Sequence, residues 1–307
     1  MMHLQEVISA GSLLLLTVAC PTADISEGEI TFTSRRDGNF EIYIMAADGS
    51  DVRNLTNHEA TDYDSSWSPD GKRLIFRSNR GGNDDIYVMN ADGSGLVNLS
   101  NHPAKDRGGR WSPDGKKIVF VSDRDQVRGE LYVMNVDGTN IERLTHNELY
   151  EEMPCWSPDG RQIAFSRQVQ EPAEEGHAGN AEIFVMAANG TNARRLTDKA
   201  GFDSGPRWSP DGGQITFHGP HEGSWDLFVM DASGENLRNI TKDVADDYQP
   251  DWSPDGKWIV YCSGVGEEYD IWLMRPDGTD RRNLTSRPGR DQNPAWRPKA
   301  AKARVKE

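Results

Sequence analysis

The sequence predicts an all-β fold, a six-bladed β-propeller with four-stranded blades. Three observations carry that prediction. Trp67, Trp111, Trp156, Trp208, Trp252 and Trp296 recur at intervals of 44, 45, 52, 44 and 44 residues, a period that suits one blade per repeat. Five of the six tryptophans open the string Trp-Ser-Pro-Asp-Gly. Its proline presets φ and its glycine accepts positive φ, as a tight turn requires. Each period is otherwise filled by runs of β-branched and aromatic residues bounded by Gly, Pro, Asp and Asn, the signature of short strands.

One period gives the order of elements. Strand a ends at Trp67, Leu74-Ile75-Phe76 forms strand b, and Asp85-Ile86-Tyr87-Val88-Met89 forms strand c. Asp92-Gly93 makes a hairpin, and Val97-Asn98-Leu99-Ser100 closes the blade as strand d. Strand b recurs as Ile118-Val119-Phe120, Ile163-Ala164-Phe165, Ile215-Thr216-Phe217 and Ile259-Val260-Tyr261. Strand c recurs over 130–134, 182–186, 226–230 and 270–274, and strand d ends in Leu144-Thr145, Leu196-Thr197, Ile240-Thr241 and Leu284-Thr285. The pattern begins at a strand b, Ile30-Thr31-Phe32, and finishes with a strand a, Asn293-Pro294-Ala295-Trp296. One blade is therefore split, its inner strand coming from the C-terminal side and its other three from the N-terminal side. Pairing them closes the ring and removes an open sheet edge.

The repeat spans residues 28–298 of a 307-residue chain, which makes one domain. A net charge of −15 argues against a duplex nucleic-acid partner, which calls for a basic surface, and suits affinity for cations. The apolar run 7–19, centred on Leu13-Leu14-Leu15-Leu16, has the length of a signal-peptide core and is short for a membrane span. Residues 1–20 are thus expected to direct export. The stretch 299–307, with Lys299, Lys302, Arg304 and Lys306, reads as a basic disordered tail. Cys155 and Cys262 fall two blades apart, too far for a disulfide, and read as buried free thiols.

With Trp-Ser-Pro-Asp-Gly, a strand b ending in Phe, and Asp-Ile-Tyr-Val-Met-Asn-Ala-Asp-Gly at 85–93, the chain resembles the TolB-type propeller repeat over about 270 residues. The resemblance implies a non-catalytic protein–protein interaction propeller of the bacterial cell envelope, periplasmic, with a Pal-like lipoprotein as a candidate partner. TolB proper carries an α/β domain before its propeller, whereas here about seven residues separate Cys20 from the first strand. Leu16-Thr17-Val18-Ala19-Cys20 resembles a lipobox, which implies Cys20 as a lipidated residue and a lipid anchor as the one membrane contact. A monomer is expected.

In this strand order the tight a–b and c–d turns share one end of the ring, and the longer b–c and d–a loops share the other. Loops on a rigid scaffold are where binding is usually built, so the second end is the candidate ligand face. Five residues before every repeat tryptophan stands an acid: Asp62, Asp106, Glu151, Asp203, Asp247 and Asp291. A ring of carboxylates around a channel mouth could hold Ca²⁺, which prefers oxygen ligands, or a basic peptide. Equally, each acid could serve its own d–a turn or pair with a b–c loop arginine, and these recur as Arg36, Arg80 and Arg124. The strand-c acid follows the strand-b aromatic by 9 or 10 residues, but Glu182 follows Phe165 by 17. That insertion brings Glu171, Glu174, Glu175 and His177 over the candidate face, and loops that break a regular repeat are often functional.

Catalytic motifs are lacking: no Gly-x-Ser-x-Gly elbow, His-Glu-x-x-His helix or phosphate-binding glycine loop occurs. His218 and His221 form a His-x-x-His with no companion acid at set spacing. His58, His102 and His146 recur just after strand d and read as solvated repeat positions. The sequence thus points to a binding module without a cofactor, Ca²⁺ being the candidate ion. The alternative from a different class is a Ca²⁺-dependent hydrolase or lyase, or a carbohydrate-binding propeller, working through the acidic mouth.

Overall fold

A computed structural model describes residues 28–125, 128–170 and 179–299 of the chain, and these form six four-stranded antiparallel sheets around a central axis. Blade 1 consists of Asp291–Trp296, Glu29–Ser34, Glu41–Ala46 and Arg53–Asn54, as strands a to d from the axis outward. Blades 2 to 6 follow in chain order, their inner strands being Asp62–Trp67, Asp106–Trp111, Glu151–Trp156, Ser204–Trp208 and Asp246–Trp252. Each inner strand touches the next around the axis and the last returns to the first, so the circle is closed.

The seam is built as the sequence predicts. Thr31 faces Ala295 and Ser34 faces Asp291 across the split blade, and the Arg297 amide donates to the Glu29 carbonyl at 2.8 Å. The Arg297 side chain carries the closure one blade further. Its guanidinium lies 4.7 Å over the Trp67 ring and its Nε donates to the Gly71 carbonyl at 2.8 Å.

Because side chains alternate sides along a strand, each sheet offers one face to each neighbouring blade, and the core lies between blades rather than inside them. Ile75, Ile86 and Val88 of blade 2 pack on Trp111, Ile118 and Phe120 of blade 3, and the other junctions repeat the arrangement. The repeat tryptophans plug the turn end of these layers; five are buried and Trp156 is half-buried. One buried aromatic removes about 150–250 Å² from water, a gross gain of roughly 4–6 kcal/mol. That the period keeps tryptophan is thus a packing requirement.

Both local devices of the inner strand are also legible. Ser68 Oγ donates to Asp70 Oδ1 at 2.6 Å, and Gly71, at φ +66°, donates its amide to the Ser68 carbonyl at 2.8 Å. The same Ser–Asp bond closes the turns at Ser112, Ser157, Ser209 and Ser253. Three residues before each tryptophan the strand bulges: Asp64, Gly108, Met153, Gly205, Gln249 and Asn293 all have positive φ between 51° and 68°. The a–b register skips at this point in every blade. For the four non-glycine residues such a conformation costs about 1–3 kcal/mol and is held by the surrounding sheet. A bulge re-aims the side chains around it, here on the strand that lines the axis.

Candidate binding site at the channel mouth

The six predicted carboxylates stand at the start of the inner strands, but they do not open onto the channel. Asp62, Asp106, Glu151 and Asp247 are fully buried, and Asp203 and Asp291 nearly so. They turn outward, toward the hydroxyl that ends strand d of the preceding blade: Glu151, for instance, accepts the Thr145 hydroxyl. Among the described residues no three acids, histidines or cysteines converge as a metal site.

In four blades the buried charge has a cation. Arg80 Nη2 lies 2.6 Å from Asp62, Arg124 Nη2 3.1 Å from Asp106, and Arg36 Nη2 2.8 Å from Asp291. Each of these arginines also donates Nε to the serine that ends strand b. Each guanidinium spreads over the aromatic pair of strands b and c, as Arg80 does 5.6 Å from Phe76 and 5.4 Å from Tyr87. Blade 4 uses Arg167, which donates Nε to Glu151 at 2.7 Å. The sequence reading missed Arg167 because it stands two residues after Phe165, whereas its counterparts stand four residues after their aromatics. Even so paired, Asp106, Glu151 and Asp291 are held above the usual carboxylate range by burial, which outweighs their hydrogen bonds and arginines.

Blades 5 and 6 lack the arginine. His221 stands four residues after Phe217, and its Nδ1 meets Asp226 of strand c at 3.1 Å instead. Val265 holds the same place in blade 6 and is exposed. Asp203 Oδ2 and both oxygens of Asp247 have no hydrogen-bond partner among the described residues. Burial pushes both carboxyls up to about 7. His218 does not join His221 at a common ligand. It is buried against Trp225 and Tyr248, with ring centroids 6.0 and 5.3 Å away. Burial, with the Arg207 charge adding, pushes its imidazole down to about 3. Cys155 and Cys262 are free thiols; Cys262 is buried as expected, whereas Cys155 is half-buried. Cys20, the insertion residues Glu171, Glu174, Glu175 and His177, and residues 300–307 lie outside the described residues.

The next position along strand a holds Tyr63, Arg107, Glu152, Ser204, Tyr248 and Gln292; Tyr63, Arg107 and Glu152 border one small cavity on the loop side, while Ser204 and Gln292 are buried. Neighbouring blades lock these together. Ser204 Oγ donates to Glu152 at 2.5 Å, and Gln292 Nε2 donates to the Tyr63 hydroxyl. Around them half-buried aromatics carry arginines on their faces: Arg77 lies 4.8 Å from the Tyr63 ring and Arg107 lies 5.6 Å from Tyr150. Arg290 lies 5.1 Å from the buried Tyr269. Trp225 and Tyr248 continue the collar at 5.5 Å. Sequence reasoning passed over these residues, yet a signal existed. They sit beside the fixed acid and change type from blade to blade, as positions freed from blade construction do.

A closed ring of six four-stranded repeats defines a β-propeller. Residues 21–96, 80–177 and 173–303 match the model of the TolB beta propeller domain, and the chain belongs to that family. No curated protein matches it in sequence. Among solved structures it is similar to TolB from Acinetobacter baumannii at 23% identity, with a TM-score of 0.75 over 89% of this chain and 67% of that one. Putative TolB from Agrobacterium tumefaciens is 22% identical, with a TM-score of 0.69 over 87% of this chain and 92% of the other. An oligogalacturonate lyase in complex with manganese shares the fold at 16% identity and a TM-score of 0.58, over 83% of this chain and 73% of that one.

Proposed function

We propose that this chain is a non-catalytic binding propeller of the bacterial cell envelope that docks a protein partner on its loop face. The collar of Tyr63, Tyr150, Trp225, Tyr248, Arg77, Arg107 and Arg290 carries this reading. Tyrosine, tryptophan and arginine held half-buried on a rigid frame are the residues that dominate binding energy at protein interfaces. Family membership supports an envelope setting. Export through residues 1–20, and lipidation at Cys20, belong to the same proposal. A Pal-like lipoprotein is the first partner to try.

The rival reading, a Ca²⁺-dependent enzyme or sugar-binding propeller fed by the acidic ring, draws no support from the geometry. Its six carboxylates are separated, each buried at its own blade junction. Calorimetry separates the two readings. Titrating the purified chain with the ectodomain of a Pal-like lipoprotein of the same organism should show binding that Tyr63→Ala and Tyr248→Ala each weaken tenfold or more, with thermal stability kept. Saturable Ca²⁺ binding abolished by Asp62→Asn and Asp291→Asn, with no partner binding, would overturn the proposal.

A further inference from the structure

The opposite end of the channel is built differently. The residue before each repeat tryptophan is Ser66, Arg110, Cys155, Arg207, Asp251 or Ala295, and these six side chains surround a cavity of about 240 Å³ at the turn end. No two adjacent blades agree there, although the flanking tryptophan never changes. Arg110 is paired with a carboxylate: its Nη2 donates to Asp64 at 2.7 Å and its Nη1 to the Gly109 carbonyl at 2.8 Å. Arg207 is not. Among the described residues its one hydrogen bond runs from Nη1 to the Pro206 carbonyl at 2.9 Å, and no carboxylate lies within 4.0 Å of its guanidinium. Asp251, on the neighbouring blade, instead spends Oδ2 on the Trp296 amide at 2.8 Å.

Arg207 therefore brings to a small, tryptophan-walled cavity a positive charge with four of its five N–H donors free. A planar guanidinium in a partly desolvated site matches one ligand group best, a carboxylate taken by two parallel hydrogen bonds. The cavity admits a group the size of an acidic side chain, not a folded domain. We propose that the turn-end cavity is a carboxylate-binding site with Arg207 as its fork, distinct from the collar at the other mouth. Burial and the nearby Arg110 charge both work against the Arg207 cation, so an incoming anion relieves a cost the fold otherwise carries.

Cys155, half-buried on the wall between the Arg110 and Arg207 blades, supplies the readout. Iodoacetate and iodoacetamide both alkylate a thiolate: sulfur forms the new bond to carbon, iodide leaves, and the thiol proton goes to solvent. Only iodoacetate carries the carboxylate. Labelling of Cys155, followed by peptide mass mapping, should favour iodoacetate about tenfold relative to the ratio shown by free glutathione. Malonate should protect, equal ionic strength of chloride should not, and Arg207→Ala should return the ratio to that of glutathione. Should Arg207→Ala fail to fold by circular dichroism, Arg207→Gln and the malonate protection decide the matter. An acidic hexapeptide tested with a free and an amidated C-terminus shows whether a chain terminus or any small carboxylate is preferred. A ratio equal to glutathione's in the wild type, or one unmoved by malonate, overturns the proposal.

Discussion

Blades 1 to 4 and blades 5 to 6 answer the same structural problem in different ways. All six place a carboxylate at a buried junction between strand a and the preceding strand d. The first four neutralise it with an arginine that also stacks on the blade's aromatic pair. In the last two, His221 and Val265 occupy the arginine's place and no arginine pairs with the carboxyl. The sector that gives up this pairing is also the one that holds Arg207, His218, Trp225 and Tyr248. Where the repeat keeps its ion pair, the acid is construction material. Where it drops the pair, blade 5 meets blade 6 through rings instead: His218 is buried among Trp225 and Tyr248, and its Nδ1 accepts the Gln249 amide at 3.4 Å.

The comparison can be broken most forcefully in the paired sector. Arg80→Ala leaves Asp62 as a buried charge without a partner and should cost about 3–5 kcal/mol in urea denaturation. The double change Arg80→Ala with Asp62→Asn should recover part of that loss, since no stranded charge remains. A loss under 1 kcal/mol for the single change would mean that the aromatic stack, not the ion pair, holds the junction.

The unpaired sector should respond in the opposite sense. Asp203 and Asp247 have folded-state pKa values of about 7 against an ordinary value of 3.8, so the fold favours their neutral form. That contribution is whole below about pH 4 and is lost as pH climbs through 7. Asp203→Asn and Asp247→Asn should therefore leave stability near pH 4 unchanged and raise it at pH 8 by about 1–3 kcal/mol each. Thermal unfolding across that pH range checks both. Stability of the variants that falls with the wild type's slope would show that other groups govern the alkaline side.

The smallest effect comes from converting one sector into the other. Val265→Arg restores the missing cation of blade 6 beside Asp247. It should add about 1 kcal/mol at pH 8, because the charged hydrogen bond gained is partly offset by ordering a long side chain. Combined with Asp247→Asn it should add nothing, and a double-mutant cycle reads the difference.

The sequence showed the blade and hid the site for one physical reason. Repeated features are local: Ser-Pro-Asp-Gly closes the same turn at Gly71 and Gly256, and alternation places Ile75 and Phe76 in the core wherever the pattern recurs. The acids were visible for the same reason, but their meaning was not. Asp62 and Asp203 look alike in sequence and differ only in whether an arginine reaches them. Arg167 stayed hidden because it stands two residues closer to its strand-b aromatic than its counterparts do.

Period, turn chemistry and split ends alone dictated six blades and a zipped seam, because strand pairing and tight turns depend on neighbours in the chain. The collar and the turn-end cavity depend on how each blade packs on the next and on closure of the ring. Packing brings Arg107 over Tyr150, Asp64 onto Arg110, and the Trp296 amide onto Asp251 from the preceding repeat, and closure brings Gln292 onto Tyr63. Alternation says which side of a sheet a residue takes, but which charges then meet at the axis follows from the radius and bulges of the assembled circle.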